Sequence, residues 1–310
     1  MKVYLIFYSS DFFDIEGIED ELKEFDEFII DTGLNVAYKT YKIDTDNRKF
    51  NKLIKLSEEV EDGVHFVPST NYDSNEIESV KYYEIIGDKI LKESRTDCNK
   101  NRKYELNTKL IESGSGYKIR LIDKRFLKSI KLKNDTIGCI GDGRIADYII
   151  SEAVKNKFDQ FELKGAKYLP VYHTNGKDQH CGYYQIFTEE IMPPAEIDLA
   201  FRTTETYLMG KTFLHFNKFG SLSFKYELIK SDIDFLRSAE PMYCEETTTM
   251  IVSYKVRNCY NASNMKGLLF YPVLDVKSEL YKQYIEKWGM IYEIVFSNPQ
   301  NSLLDYKLGA

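Results

Sequence analysis

The chain has 310 residues, with 49 acidic and 42 basic side chains and a formal net charge of −7. Hydrophobic residues make up 43% and aromatics 14%, enough to bury a core and to exclude a disordered chain. No run approaches the roughly 18 apolar residues of a membrane-spanning helix, and the cysteines at 98, 139, 181, 244 and 259 form no CxxC pair. An odd, scattered set suits a reducing compartment better than a disulfide framework, so the expected location is the cytoplasm.

Residues 2–8 read as a first strand, being too short an apolar run for a signal-peptide core. The next segment is strongly acidic. Residues 11–31 hold Asp11, Asp14, Glu16, Glu19, Asp20, Glu21, Glu24, Asp26, Glu27 and Asp31 against Lys23 alone, a charge of −9. Ile15, Ile18, Leu22 and Phe25 recur at helical spacing and predict an amphipathic helix over 15–27. Its outer face would carry Glu16, Asp20, Glu24 and Glu27. Such a face either keeps the chain soluble or steers a basic partner toward it; these four are the candidate partner-binding residues.

Further along, 35–42 reads as a strand and 50–60 as a helix. Residues 80–92 carry a Gly87-Asp88 turn between apolar runs, a hairpin signal. Strands follow at 117–122 and 126–132, inside a basic stretch, 118–133, with seven bases and one acid. That stretch would serve a nucleic-acid binder, although such proteins are usually basic throughout. A helix is expected at 145–157, strands at 166–172 and 182–188, then a Pro193-Pro194 break and a strand-rich stretch to about 230. Helices at 247–260 and 277–288 and a final strand at 290–296 close the chain. The fold class is α+β, with strand-dominated mixed sheets and no sustained strand–helix alternation of the doubly wound kind.

One unit occurs twice. Tyr148 onward reads YIISEAVKNKFDQFELKGAKYLPV and Met250 onward reads MIVSYKVRNCYNASNMKGLLFYPV, aligned without a gap at an offset of 102. Identical pairs include Ile149/Ile251, Ser151/Ser253, Val154/Val256, Lys164/Lys266, Gly165/Gly267 and Pro170/Pro272. The expected shape is a helix opened by Ser, a turn with Gly at positive φ, and a strand stopped by Pro. At the same offset Gly63 and Pro68 fall opposite Gly165 and Pro170, which makes a degenerate third copy one reading of residues 1–75. The expected modules are 1–75, 76–175 and 176–310, the last two each bearing one repeat.

Sites of chemistry are few. His173, His180 and Cys181 cluster in His-Thr-Asn-Gly-Lys-Asp-Gln-His-Cys and would offer three metal ligands or a Cys–His nucleophile, but the spacing matches no zinc pattern and reads as a polar loop between strands. Residues 138–144, Gly-Cys-Ile-Gly-Asp-Gly-Arg, precede a predicted helix as phosphate loops do, yet lack GxGxxG and a GK[ST] ending. His65 and His215 stand alone among apolar neighbours. No catalytic, cofactor or metal site is expected.

The pattern Ile-Ile-Ser…Val…Lys-Gly…Pro-Val resembles the closing element of bacterial immunity proteins encoded beside polymorphic or contact-delivered toxins, among them the double-CXXCG-motif proteins. The resemblance extends through Tyr183-Tyr184-Gln185-Ile186-Phe187, Ile191-Met192-Pro193-Pro194 and residues 231–240, Ser-Asp-Ile-Asp-Phe-Leu-Arg-Ser-Ala-Glu, covering about 135–275. Where those proteins carry cysteine pairs, implying a zinc ribbon, residues 201–230 contain no Cys. The resemblance implies a cytoplasmic immunity protein of interbacterial competition that binds a cognate toxin and neutralises it by occlusion; the acidic segment points to a toxin with a basic surface, the missing cysteines to no metal cofactor, and the lack of a long apolar run to no membrane span. The alternatives are an enzyme using the His173/His180/Cys181 loop and a nucleic-acid binder using 118–133.

Overall fold

Ser151 and Ser253 end buried strands and open helices in the same way. Their φ/ψ angles are −75°/164° and −74°/166°, and each hydroxyl accepts a first-turn N–H, from Val154 and Lys255, both at 3.2 Å. A hydroxyl at this position satisfies a donor that the helix itself leaves unpaired. The computed structural model describes residues 1–8, 26–31, 37–57, 65–88, 110–112, 118–120, 125–127, 132–140, 147–173, 180–193, 201–208, 211–218, 221–238 and 249–297.

In chain order these form β1 (Lys2–Tyr8), β2 (Asp26–Asp31), β3 (Ala37–Asp44), α1 (Phe50–Ser57), β4 (His65–Asn71), α2 (Ser74–Ser79) and β5 (Tyr82–Gly87). The paired strands β6 (Leu110–Glu112) and β7 (Lys118–Arg120) precede β8 (Arg125–Leu127), β9 (Gly138–Ile140), β10 (Asp147–Ser151), α3 (Glu152–Gln160), β11 (Lys167–His173) and β12 (His180–Phe187). A second strand pair, β13 (Phe201–Leu208) and β14 (Lys211–Lys218), precedes β15 (Ser223–Phe224), β16 (Phe235–Arg237), β17 (Met250–Ser253), α4 (Tyr254–Ala262), β18 (Leu268–Asp275) and α5 (Glu279–Ser297). The fold is α+β and strand-dominated, with a duplicated strand–helix–strand unit.

Two five-stranded sheets share one plan. Their orders are β8-β11-β12-β10-β9 and β15-β18-β5-β17-β16. In both, the short outer strand runs parallel to its neighbour and the other pairs are antiparallel. The central strands are crossed over. In sequence, β5 precedes the first repeat and β12 precedes the second; in space, β5 fills the sheet of the second repeat and β12 that of the first. The two strands match as Tyr82-Tyr83-Glu84-Ile85-Ile86 and Tyr183-Tyr184-Gln185-Ile186-Phe187, with Tyr82 opposite Ser253 and Tyr183 opposite Ser151. The boundary near residue 175 therefore divides the repeats in sequence but not in space.

The helix-ending turns also cross over. Both place a non-glycine residue at positive φ, Glu162 at 52° and Asn264 at 50°, followed three residues later by Gly165 at 93° and Gly267 at 100°. The Lys164 carbonyl accepts from the Asp234 and Phe235 N–H groups, and the Lys266 carbonyl accepts from the Ile137 N–H, so each turn seats on the strand entry of the other repeat. Cys259 Sγ lies 3.9 Å from the Lys157 carbonyl, its own counterpart at the offset of 102. Reciprocal contacts of this kind define a pseudo-twofold axis passing between α3 and α4. One continuous core spans it, including Tyr83, Ile85, Val154, Phe158, Ile186 and Val256. Each such side chain contributes about 1.5–3 kcal/mol on burial.

The N-terminal sheet, β2-β3-β1-β4, is wholly antiparallel and has the order of β9-β10-β12-β11. Its α1 and β4 begin 102 residues before α3 and β11. Among the described residues it has the arrangement of a third unit with no outer strand beside β4 and with its own first strand at the centre. β4 is met by α5, whose Trp288 Nε1 donates to Thr70 Oγ1 at 3.0 Å while Lys287 pairs with Asp46 at 2.7 Å. No described helix is long and apolar enough to cross a membrane.

Several expectations are corrected. The helices expected at 145–157 and 247–260 each begin with a strand, β10 and β17, because a strand buried on both faces reads as an unbroken apolar run. The Gly87-Asp88 hairpin does not form, since β5 pairs with the distant β17 and β18. Residues 290–296 continue α5 rather than forming a strand. Pro170 and Pro272 do not stop their strands; they pair with Tyr184 and Tyr83. The outer strands join only from Val171 and Leu274, so each proline has one strand neighbour and its missing N–H breaks no second ladder. Of the acidic helix expected over 15–27, residues 15–25 lie outside the described residues, and Asp26 and Glu27 open a strand instead.

Candidate functional site

The trio of His173, His180 and Cys181 sits where β11 meets β12. His180 is directly opposite Tyr172, and its ring lies 6.1 Å from that of Tyr172 and 5.0 Å from that of Tyr184. Cys181 is the next residue along the strand and so points to the opposite face. There it packs with Val171, Ile149 and Leu127, and its thiol donates to the Val171 carbonyl at 3.0 Å. His180 and Cys181 thus cannot converge on one ion or act as a dyad. Burial also pushes the Cys181 thiol up, away from the thiolate a nucleophile needs. Among the described residues no three His, Cys, Asp or Glu side chains are grouped to hold a metal.

Of the glycine-rich stretch at 138–144, Gly138, Cys139 and Ile140 form β9 and residues 141–144 lie outside the described residues; the next described element is the strand β10, not a helix. The basic stretch 118–133 is divided between β7, paired with β6, and β8, an outer strand of a five-stranded sheet. Among its described residues, Leu127 and Leu132 are held in a buried cluster; residues 121–124 and 128–131 lie outside the described residues. His65 lies on β4 opposite Tyr8, and His215 on β14 opposite Thr204.

Of the candidate partner-binding residues, Glu16, Asp20 and Glu24 lie outside the described residues. Glu27 is on β2 opposite Tyr41. Among the described strands β2 is outermost in its sheet, and charged residues on an edge strand discourage unwanted pairing.

The residues carrying the family resemblance turn out to be joints of the scaffold. Asp234 is buried, accepts from the Ser253 hydroxyl and takes the Lys164 N–H at 2.9 Å, binding the turn of one repeat to the helix cap of the other. Arg237 is half-buried, with its guanidinium 4.8 Å from the Phe187 ring, and the desolvation of that group lowers its pKa to about 10. Lys155 stands over Tyr168 and Tyr184 at 5.1 and 5.9 Å; its counterpart 102 residues on, Arg257, stands over Tyr83 at 5.2 Å. Tyr83 and Tyr184 are themselves counterparts, so both repeats keep one cation–π contact between helix and central strand. Burial raises the Tyr168 phenol, and Asp159 raises it further.

These contacts were not foreseen from the sequence. The signal for Asp234 was its place in Ser231-Asp232-Ile233-Asp234-Phe235; the signal for Lys155 and Arg257 was their common offset. Away from the joints, Phe161, Leu228, Tyr254, Leu269 and Tyr271 are large apolar side chains left exposed. Leu269 and Tyr271 are two apart on β18 and share one face. No protein-family model matches the chain, and no curated protein matches it significantly.

Proposed function

We propose that this chain is a cytoplasmic immunity protein that binds a cognate toxin and neutralises it by occlusion. The observation that supports this reading best is the position of the resembling residues. The Lys164 and Lys266 carbonyls each accept from the strand entry of the other repeat, Asp234 joins the Lys164 N–H to the Ser253 hydroxyl, Gly165 and Gly267 allow the close approach, and Ser151 and Ser253 cap the two helices. A motif spent on joints suits a binding protein, which needs a rigid frame and a surface free to match its partner. The separation of His180 from Cys181 across a sheet weighs against the enzyme alternative.

The partner is a toxin with a basic surface, drawn by the −9 charge of residues 11–31. Co-expression with a toxin encoded by the adjacent gene tests the proposal. The chain should restore growth of the toxin-expressing cells and co-purify with the toxin. Growth arrest despite full expression of both proteins would count against it.

A further inference from the structure

The two five-stranded sheets offer nearly identical central slots, and the two strands that fill them are nearly identical. Nothing in the shared Tyr-Tyr and Ile positions explains why β5 lies in the far repeat and β12 in the near one. The pairing registers are the same, with Tyr82 against Ser253 and Tyr183 against Ser151. We infer that the strand exchange is enforced by two positions at which β5 and β12 differ, Glu84 against Gln185 and Gly87 against Thr188.

The first position excludes β5 from the other slot. Glu84 is 5% exposed and lies between Ile251 and Tyr271. Gln185 is 3% exposed and lies between Ile149 and Leu169. Moved to that slot, Glu84 would set a carboxylate between two aliphatic side chains, whereas a neutral amide is far less costly to bury there.

The second position excludes β12. Gly87 is so close to β9 that a Cβ there would lie 2.2 Å from Cys139 Sγ and 2.6 Å from Cys139 Cβ. Thr188 occupies the equivalent step after β12 and carries the side chain that this gap refuses. In its own slot Thr188 instead donates its hydroxyl to the Phe235 carbonyl at 2.9 Å. Both strands must return home for the unexchanged form to exist, so either misfit blocks it, and the two together leave the exchanged form as the one assembly with no clash and no carboxylate between aliphatics. The repeats thereby behave as a strand-exchanged dimer joined in one chain.

Glu84→Gln with Thr188→Gly removes both obstacles without adding a side chain to either slot. Disulfide trapping in the full chain reads the outcome. Ile86 faces Leu269 in the exchanged form, and by equivalence with Phe187 it would face Lys167 in the unexchanged one. Directly opposite residues have Cβ atoms about 4.5–5.5 Å apart, within disulfide reach. With cysteines at 86, 167 and 269 and otherwise native sequence, mild oxidation and peptide mass spectrometry should find only the 86–269 link. Adding Glu84→Gln and Thr188→Gly should produce the 86–167 link in comparable amount. A chain carrying both changes that still forms only the 86–269 link overturns the inference.

A single change, Gln185→Glu, gives a second reading should the double variant fail to fold. It sets a carboxylate in the slot held to refuse one, and should raise the unfolding equilibrium constant by roughly tenfold or more. Unfolding unchanged from the native chain would equally overturn the inference.

Discussion

Gly267→Ala should be among the most damaging single-methyl additions in the protein. At φ of +100° any L side chain is strained, by about 1–2 kcal/mol. The added Cβ would also lie 2.0 Å from the Ile137 carbonyl oxygen and 3.1 Å from its carbon. That carbonyl cannot move off freely, because the N–H of the same residue is bonded to the Lys266 carbonyl at 2.8 Å and Ile137 is fully buried. Forcing extra volume into such a contact costs a further 1–3 kcal/mol or so, for a total of about 2–5 kcal/mol. Gly182 is the control: its φ is +75° but nothing lies within 4 Å of its missing Cβ, so Gly182→Ala should cost only the strain, about 1 kcal/mol. Gly165→Ala should fall between, since one of its two close neighbours is the Ile233 side chain, which can turn. Urea unfolding followed by fluorescence of the sole tryptophan, the buried Trp288, gives the midpoints. If Gly267→Ala and Gly182→Ala shift the midpoint equally, the close docking of the turn on Ile137 is wrong.

Other expectations concern the caps, the thiol and the acids. Ser253→Ala loses both the Lys255 cap and the bond to buried Asp234, and should cost about 2–3 kcal/mol by denaturant unfolding. Ser151→Ala loses the Val154 cap and a bond to the Asn134 carbonyl, and should cost less, about 1 kcal/mol; the reverse order would contradict the role given to Asp234. Because burial raises the Cys181 pKa, its thiolate is scarce at neutral pH, and alkylation in the folded protein should quicken only above the ordinary thiol range. Rapid labelling near pH 7, read by mass spectrometry, would refute this. Replacing Glu16, Asp20, Glu24 and Glu27 by Gln or Asn should slow toxin association several-fold at low salt and change dissociation little, with the difference fading as salt screens it over about 8 Å. Stopped-flow rates that do not change would remove steering from the proposal while leaving binding intact.

The repeat was legible because its punctuation is local. A capping Ser, a Lys-Gly turn and a Pro recur at one offset, and each does in the structure what its chemistry suggests, except that the prolines sit inside their strands. The N-terminal unit was only half legible. Its helix and following strand keep the offset, but residues 45–49 separate β3 from α1, and no Ser joins strand to helix there. What sequence could not show was partnership. Tyr82–Gly87 looks like half of a local hairpin, yet its neighbours are β17 and β18, because the hydrophobic pattern states which face is buried and not which strand lies alongside. Residues 290–296 carry β-favouring Ile, Tyr, Val and Phe but continue a helix anchored by Tyr284 and Trp288, where packing overrides propensity. His180 and Cys181 are neighbours in sequence, but β12 begins at His180, so alternation along the strand puts them on opposite faces.

Occlusion differs from enzymatic inactivation in what it leaves behind. The toxin's catalytic domain should bind the purified chain in a stable complex and lose its activity. When it is released by unfolding this chain and refolded alone, its mass should be unchanged and its activity restored. A toxin that stays inactive after separation, or that carries an altered mass, would contradict neutralisation by binding and return attention to chemistry on this chain.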